Sequence, residues 1–146
     1  MDYLAFGPEL TGERNLAHQL CRNFDRGKPD AKEALYEQFG ACGPNLYIEP
    51  PFFCDYGWNV FFGAQVYLNS GCLLLDCAPI YVGDLVKFGP GVHVYTAGHP
   101  LDAQRRAEGF ESPIPCALAA IHGSAGEPFS CRESPSARIA SSEPAA

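Results

Sequence analysis

Long apolar runs, basic clusters and paired cysteine motifs are all missing from this 146-residue chain. No stretch approaches the roughly 18 apolar residues of a membrane span. No Lys/Arg run exceeds the pair Arg105-Arg106, and the formal net charge is −7, so neither nucleic acid nor an anionic membrane is an expected partner. The opening MDYLAFGPEL has neither a basic flank nor an apolar h-region, and no leader is expected. Seven cysteines include no C-x-x-C, which argues against a disulfide framework or a zinc ribbon and points to a reducing cytoplasm. Charged residues make up only 18% and apolar ones 47%. That suits the core of one domain and is too apolar for a wholly disordered chain.

What the chain has instead is a beat. Ile48, Cys54, Val60, Val66 and Cys72 recur every six residues, and after a two-residue slip Ile80, Val86 and Val92 continue. Two residues after the last seven stand Tyr56, Phe62, Leu68, Leu74, Val82, Phe88 and Val94. Side chains alternate between the faces of a strand, so each beat residue and its partner two places on share a face. Gly57, Gly63, Gly83 and Gly89, with Asn69 in the same slot, suit corners that need φ > 0. A β-sandwich would space its turns irregularly; fixed hexapeptides predict a parallel β-helix with three sides to the coil. Residues eighteen apart are then expected to stack, Cys54 on Cys72 as small core residues.

The first forty residues follow a helical period instead. Leu10, Leu16, Ala17, Leu20, Cys21 and Phe24, then Ala34, Leu35 and Phe39, mark two amphipathic helices. Asp30 and Glu33 read as a capping box and Gly40 as a C′ residue. These helices are expected to cover one end of the coils. His18 reads as an exposed or packing residue.

The blocks CDYG, LD-x-x-PI, FGPGV and YTAGHPLD, in that order within 54–102, resemble the maltose and galactoside O-acetyltransferases and the nodulation acetyltransferases of the hexapeptide-repeat superfamily. The segment GPELTGERNLAHQL resembles the helical cap of that family, with Gly7 where relatives usually carry an acid. The resemblance spans roughly residues 8–115. It implies a mainly β protein: a helical cap over 1–42 and a left-handed parallel β-helix over 43–115. It further implies a homotrimer with sites between subunits, acetyl-CoA as co-substrate with no tightly bound cofactor, and a small sugar as acceptor.

The site residues follow from the same blocks. His99 lies where the beat ends and a loop begins, and the family places its catalytic base there; a neutral imidazole can take the proton of a weakly nucleophilic hydroxyl. Asn69 matches a residue that reaches acceptor and acetyl group. Asp55 and Asp76 match acceptor-pocket positions, where carboxylates suit sugar hydroxyls; a corner carboxylate accepting backbone N–H bonds is the alternative for Asp76. Glu111 is a candidate to orient the imidazole or hold the loop, and Arg105 and Arg106 read as solubilising. His93, six residues before His99, raises the alternative of a zinc-dependent hydratase, but zinc needs three ligands and a water. The only later histidine, His122, is off the beat, so no metal is expected.

Residues 116–146 have no beat and the composition of a disordered tail. Read one nucleotide earlier, codons permitted from Cys116 onward can spell V-R-I-G-G-H-T-W-I followed by a regular hexapeptide array. The tail therefore reads as an out-of-frame version of further coils. On that reading much of the CoA-binding surface is absent, the last coil edge is open, and the chain as written is expected to have little transferase activity. An inactive fragment that associates through that edge is the non-enzyme alternative.

Overall fold

The computed structural model describes residues 2–118 and the backbone of residues 129–130. A short strand, β1 (Tyr3–Leu4), leads into helices α1 (Pro8–Asp25) and α2 (Ala31–Gln38). Pro8 opens α1, where a fixed φ and a missing N–H cost little. Ala17, Cys21 and Phe24 of α1 and Ala31 and Leu35 of α2 form the buried faces. The capping box expected of Asp30 and Glu33 does not form, because Asp30 is left-handed at φ 60° and its side chain makes no cap bond. Gly40 serves space rather than a C′ turn: a Cβ there would strike the Trp58 carbonyl oxygen and the Phe61 ring.

The chain then winds through β2 (Ala41–Cys42), β3 (Tyr47–Ile48), β4 (Phe52–Cys54), β5 (Val60–Phe62), β6 (Tyr67–Leu68), β7 (Cys72–Leu75), β8 (Ile80–Val82), β9 (Lys87–Phe88) and β10 (His93–Tyr95). A long corner follows, carrying β11 (Ala97–Gly98), the single-turn α3 (Ala103–Ala107) and β12 (Phe110–Pro113). The winding resumes with β13 (Cys116–Leu118) and β14 (Phe129–Ser130). Three parallel sheets, ordered β14-β10-β7-β4, β13-β8-β5-β2 and β3-β6-β9, are the three sides of a β-helix. The inward side chains fill it in columns, among them Ile48, Leu68 and Phe88 on one side and Cys54, Leu74 and Val94 on another, all buried.

The coil length differs from expectation. Consecutive coils pair residues twenty apart, as in Tyr47↔Tyr67, Phe52↔Cys72, Val60↔Ile80, Tyr67↔Lys87 and Leu73↔His93. Two corners of each coil keep the hexapeptide spacing and the third holds two extra residues, so the slip seen once in the beat recurs in every coil. Cys54 therefore stacks on Leu74 rather than Cys72, and its sulfur lies 3.7 Å from that of Cys21 on α1.

The corners also differ. Gly57 has the expected positive φ of 84°, but the other positive φ values of the coils fall at Asn45, Gln65 and Leu85, and at Gly71 and Gly91, while Gly63, Gly83, Gly89 and Asn69 are not left-handed. Gly63 answers a different demand: a Cβ would lie 2.8 Å from the Asp84 nitrogen and 3.0 Å from the Gly83 carbonyl carbon. Coils 4.7–4.9 Å apart leave no room for it.

The helices close one end of the β-helix by bonding its free backbone groups. Asp25 Oδ1 accepts from the Phe52 N–H at 2.9 Å, the Tyr36 hydroxyl accepts from Ile48 N–H at 3.2 Å, and Gln38 Nε2 donates to the Tyr56 carbonyl at 3.0 Å. Unpaired strand edges recruit other chains, and these bonds remove the invitation. β2 already pairs with β5, so coiling starts before residue 43, and Cys116 and Leu118 continue the core beyond 115, each 4% exposed. Residues 119–128 and 131–146, with the tail composition and the out-of-frame reading attached to them, lie outside the described residues. Among the described residues no helix is long and apolar enough to cross a membrane.

Candidate active site

The corner with two extra residues is where the chemistry collects. In the first coil it holds Asp55, in the second Asp76 and Cys77, and in the third it expands into the excursion from 96 to 115. β13 pairs with β8 through Cys116↔Ile80, thirty-six residues apart, so this corner has grown by sixteen. Stacking one corner over another brings together residues far apart in sequence. A cleft of about 310 Å³ opens there, lined by Arg14, Asp55, Leu75, Cys77, Tyr95, Ala97, His99 and Glu111.

Asp76, expected against the acceptor, does not reach the cleft. It is fully buried. Its Oδ1 accepts from the Asp55 and Tyr56 N–H groups at 3.0 and 2.9 Å, and its Oδ2 from Gly57 and Asn59 at 2.7 and 3.3 Å. Asn59 Nδ2 donates back to the Asp76 carbonyl at 2.9 Å. A tight corner turns several N–H groups inward with no strand partner, and one carboxylate satisfies them. Burial pushes the Asp76 carboxyl up, and the backbone bonds from Tyr56 and Gly57 oppose the shift. Asp76 thus shapes the turn that carries Asp55.

Asp55 presents both oxygens near the cleft. His18 Nε2 lies 3.3 Å from Oδ1, and the Cys77 thiol donates to Oδ2 at 3.5 Å. Burial pushes the Cys77 thiol up to about 12, with the neighbouring Asp55 and Glu111 charges adding to it, so it stays a neutral donor. The His18 ring packs on Phe53 with centroids 4.5 Å apart. Arg14, one helical turn before His18, donates from Nη1 to the Tyr56 hydroxyl and to the Ala5 carbonyl, both at 3.2 Å. Neither residue was read from the sequence as part of a site. Their signal was the i, i+4 spacing on one polar face of α1, which puts both over the same corner.

The excursion is anchored where it leaves the coil. Thr96 is fully buried; its hydroxyl donates to the Leu75 carbonyl at 2.6 Å and accepts from the Ala78 N–H at 2.9 Å. β11 then pairs antiparallel with β12 through Ala97↔Pro113 and Gly98↔Ser112. His99 follows β11 directly. On the other side of β12, β1 pairs Tyr3↔Glu111, and the Tyr3 hydroxyl donates to Glu111 Oε2 at 2.6 Å. Glu111 is thus held by a fixed donor, and it lines the cleft together with His99. Burial, with Cys77 and Glu111 as hydrogen-bond neighbours, pushes the Tyr3 hydroxyl up, so it remains a donor.

Arg105 and Arg106 do more than solubilise the loop. Arg105 pairs with Asp2 at 3.1 Å and lies over the Phe110 ring, while Arg106 Nη1 donates to the Pro100 carbonyl at 2.9 Å. His93 points along the side of the β-helix, its Nδ1 2.9 Å from the Tyr95 hydroxyl. No group of three or more His, Cys, Asp or Glu residues that could hold a metal ion occurs among the described residues, and His122 lies outside them. Asn69 is not in the cleft: its Oδ1 accepts from the Ser70 N–H at 2.8 Å on a different corner.

Short parallel strands in hexapeptide coils, a helical cap and a histidine-bearing corner excursion define a β-helix protein of the hexapeptide-repeat class. Comparison with known proteins agrees. Nodulation protein L of Rhizobium leguminosarum bv. viciae is 38% identical over 120 residues, which is 80% of this chain and 63% of the relative. A solved maltose O-acetyltransferase from Clostridium difficile 630 superposes with a TM-score of 0.72 at 32% identity, covering 81% of this chain and 68% of that one. A hexapeptide-repeat acetyltransferase from Vibrio cholerae, solved with acetyl coenzyme A, gives a TM-score of 0.69 at 31% identity, covering 79% and 64%. No protein-family model matches. The chain belongs to the hexapeptide-repeat acetyltransferases, alongside the maltose O-acetyltransferases and nodulation protein L. It spans about three-fifths of the length of the curated relatives it matches.

Proposed function

We propose that the cleft transfers an acetyl group from acetyl-CoA to a hydroxyl of a small sugar of the maltose, glucose or galactoside type. The observation that carries this is the convergence of His99, Asp55 and Glu111 on one cleft, Asp55 from the first coil's corner and the other two from the third's. Its chemistry follows from the groups present. The His99 imidazole accepts the hydroxyl proton as the sugar oxygen attacks the thioester carbonyl carbon. The C–S bond then breaks, and the imidazolium returns the proton to the departing thiolate. Asp55 accepts hydrogen bonds from the sugar, and Glu111, held by Tyr3, orients the imidazole as a positioning residue.

The similarity to the Clostridium difficile maltose O-acetyltransferase and to the Vibrio cholerae protein solved with acetyl coenzyme A supports the donor and the sugar acceptor. Left-handed winding and a homotrimer are what the family resemblance of the CDYG, FGPGV and YTAGHPLD blocks implies. In a trimer Asn69, remote from its own His99, reaches the site of a neighbouring copy and touches acceptor and acetyl group. A cytoplasmic setting rests on cysteine usage: Cys21, Cys42, Cys54, Cys72 and Cys77 are free thiols.

His99→Ala tests the assignment. Acetyl transfer to methyl glucoside and methyl galactoside, read as thiol release from acetyl-CoA, should fall by about 10²–10⁴-fold in a frame-restored version, the 146-residue chain itself being expected to transfer little. An undiminished rate would remove His99 from the mechanism.

A further inference from the structure

His18 reads from the sequence as an exposed or packing residue, and the fold gives it a more particular place. It stands on α1 with its Nε2 3.3 Å from Asp55 Oδ1, thirty-seven residues away along the chain. An ionised carboxylate only accepts hydrogen bonds, so the hydrogen of this contact is carried by Nε2. The other Asp55 oxygen accepts from the Cys77 thiol at 3.5 Å. Asp55 lines the cleft and His18 does not. The imidazole therefore touches a wall group of the site without being part of the wall.

The ring is itself held. Its centroid lies 4.5 Å from that of Phe53 on β4, with the planes tilted by 39°. Ala17 and Cys21, on either side of His18 along α1, are buried, so α1 cannot carry His18 away without lifting its packed face off the coils. Arg14, one turn earlier, bonds the Tyr56 hydroxyl and the Ala5 carbonyl through Nη1 and fixes the same stretch of helix over the corner. The Asp55 main chain is fixed too, through its N–H bond to Asp76. What remains free is the pair of side-chain torsions that aim the carboxylate. Donors from two different elements, α1 and the corner of the next coil, set those torsions. Each carboxylate oxygen has a second lone-pair direction, which is left for a ligand hydroxyl.

We propose that His18 is a positioning residue for acceptor binding: from the helical cap it holds the Asp55 carboxylate in the orientation that meets a sugar hydroxyl. This rests on the sugar-acceptor reading of the cleft. The cap then does more than close the end of the β-helix, since α1 also aims one group of the binding wall. The side chains of His18 and Asp55 are only 24% and 16% exposed, a setting in which a hydrogen bond is stronger than in open water. A separation of 3.3 Å is nevertheless long for an N–H···O bond. Its loss should therefore weaken sugar binding about tenfold rather than abolish it.

The test separates the donor from the ring. His18→Phe keeps a ring on Phe53 and removes the N–H, whereas His18→Gln keeps an N–H at similar reach and removes the ring. Calorimetric titration of the full 146-residue chain with methyl glucoside and methyl galactoside reads the affinity without relying on turnover, and urea unfolding checks that each variant is folded. His18→Phe should bind the accepted glycoside about tenfold more weakly, and His18→Gln should return to within about threefold of the parent. A role in packing alone predicts the reverse order. Repeating His18→Phe in an Asp55→Ala background completes a double-mutant cycle; with the carboxylate gone, the substitution should lower affinity no further. Parental affinity in His18→Phe, or His18→Gln no better than His18→Phe, overturns the inference and leaves the sugar-acceptor reading standing. So does a full effect of His18→Phe on Asp55→Ala, which would show that His18 meets the sugar directly or acts by moving the cap. A parent that binds neither glycoside, or whose affinity Asp55→Ala leaves unchanged, overturns the acceptor role of Asp55 and this inference with it.

Discussion

Replacing Asp76 by alanine should unfold the corner on which the cleft is built. The carboxylate accepts four backbone N–H bonds, from Asp55, Tyr56, Gly57 and Asn59. Tyr56, Gly57 and Asn59 are buried and Asp55 is half-buried, so water can replace the partner of one donor more readily than of the other three. Each buried donor left without a partner costs about 1–3 kcal/mol. Relaxation of the turn over residues 55–59 recovers some of this, which leaves a net loss of about 3–5 kcal/mol, a large share of a domain's stability. Asp76→Asn keeps the shape and one oxygen but turns an NH₂ toward two N–H donors, and should cost about 1–3 kcal/mol. Urea unfolding monitored by tryptophan fluorescence measures both, since Trp58 lies in the same turn. Asp76→Ala within about 1 kcal/mol of the parent would refute the reasoning, because three buried donors cannot be orphaned at so small a cost. Asp76→Asn with parental stability but lost glycoside binding would refute it in another way, by showing direct contact with the acceptor.

Tyr3→Phe removes the 2.6 Å donor to Glu111 and should lower acetyl transfer about tenfold, as expected for a hydrogen bond to a charged group. It should also displace the pH–rate profile, which a merely structural role of Tyr3 would not do. Cys77 has its folded pKa raised to about 12, so its thiol contributes stability that is present below the unfolded pKa of about 8.5 and lost as pH rises toward 12. The unfolding free energy of Cys77→Ala should therefore fall less steeply than the parent's above pH 9, and equal slopes would contradict the assignment. Gly63→Ala places a Cβ 2.8 Å from the Asp84 nitrogen and should lower stability by about 1–3 kcal/mol; a neutral result in urea unfolding would show that the coils can separate there.

Alternation along 48–94 was enough to identify the β-helix and most of its inward residues, because a strand's two-residue period is a local property of the backbone. Register was not local. The strand at Phe52/Cys54 begins two residues earlier than the beat places it, although Cys72/Leu74 falls on the beat, and only hydrogen bonding between coils shows that the extra residues fall at the same corner each time. The same holds for the capping box: Asp30 and Glu33 have the right spacing, but the turn before α2 puts Asp30 in a left-handed conformation that directs its side chain away.

His99 was legible because it sits in a sequence block, YTAGHPLD, that ends the beat and resembles the acetyltransferases. His18, Arg14 and Tyr3 were not, since each lies 37 or more residues from the group it meets in the cleft region, as with His18 and Asp55 or Tyr3 and Glu111. The sequence by itself determined which residues face inward, where the coiling gives way to a loop and which histidine that loop carries. Only the tertiary structure decided that one corner collects Asp55, Cys77, His99 and Glu111, and that Asp76 holds up the turn instead of joining them. The reason is that side-chain alternation is written in neighbouring residues, whereas a corner's contents depend on how many residues every coil spends reaching it.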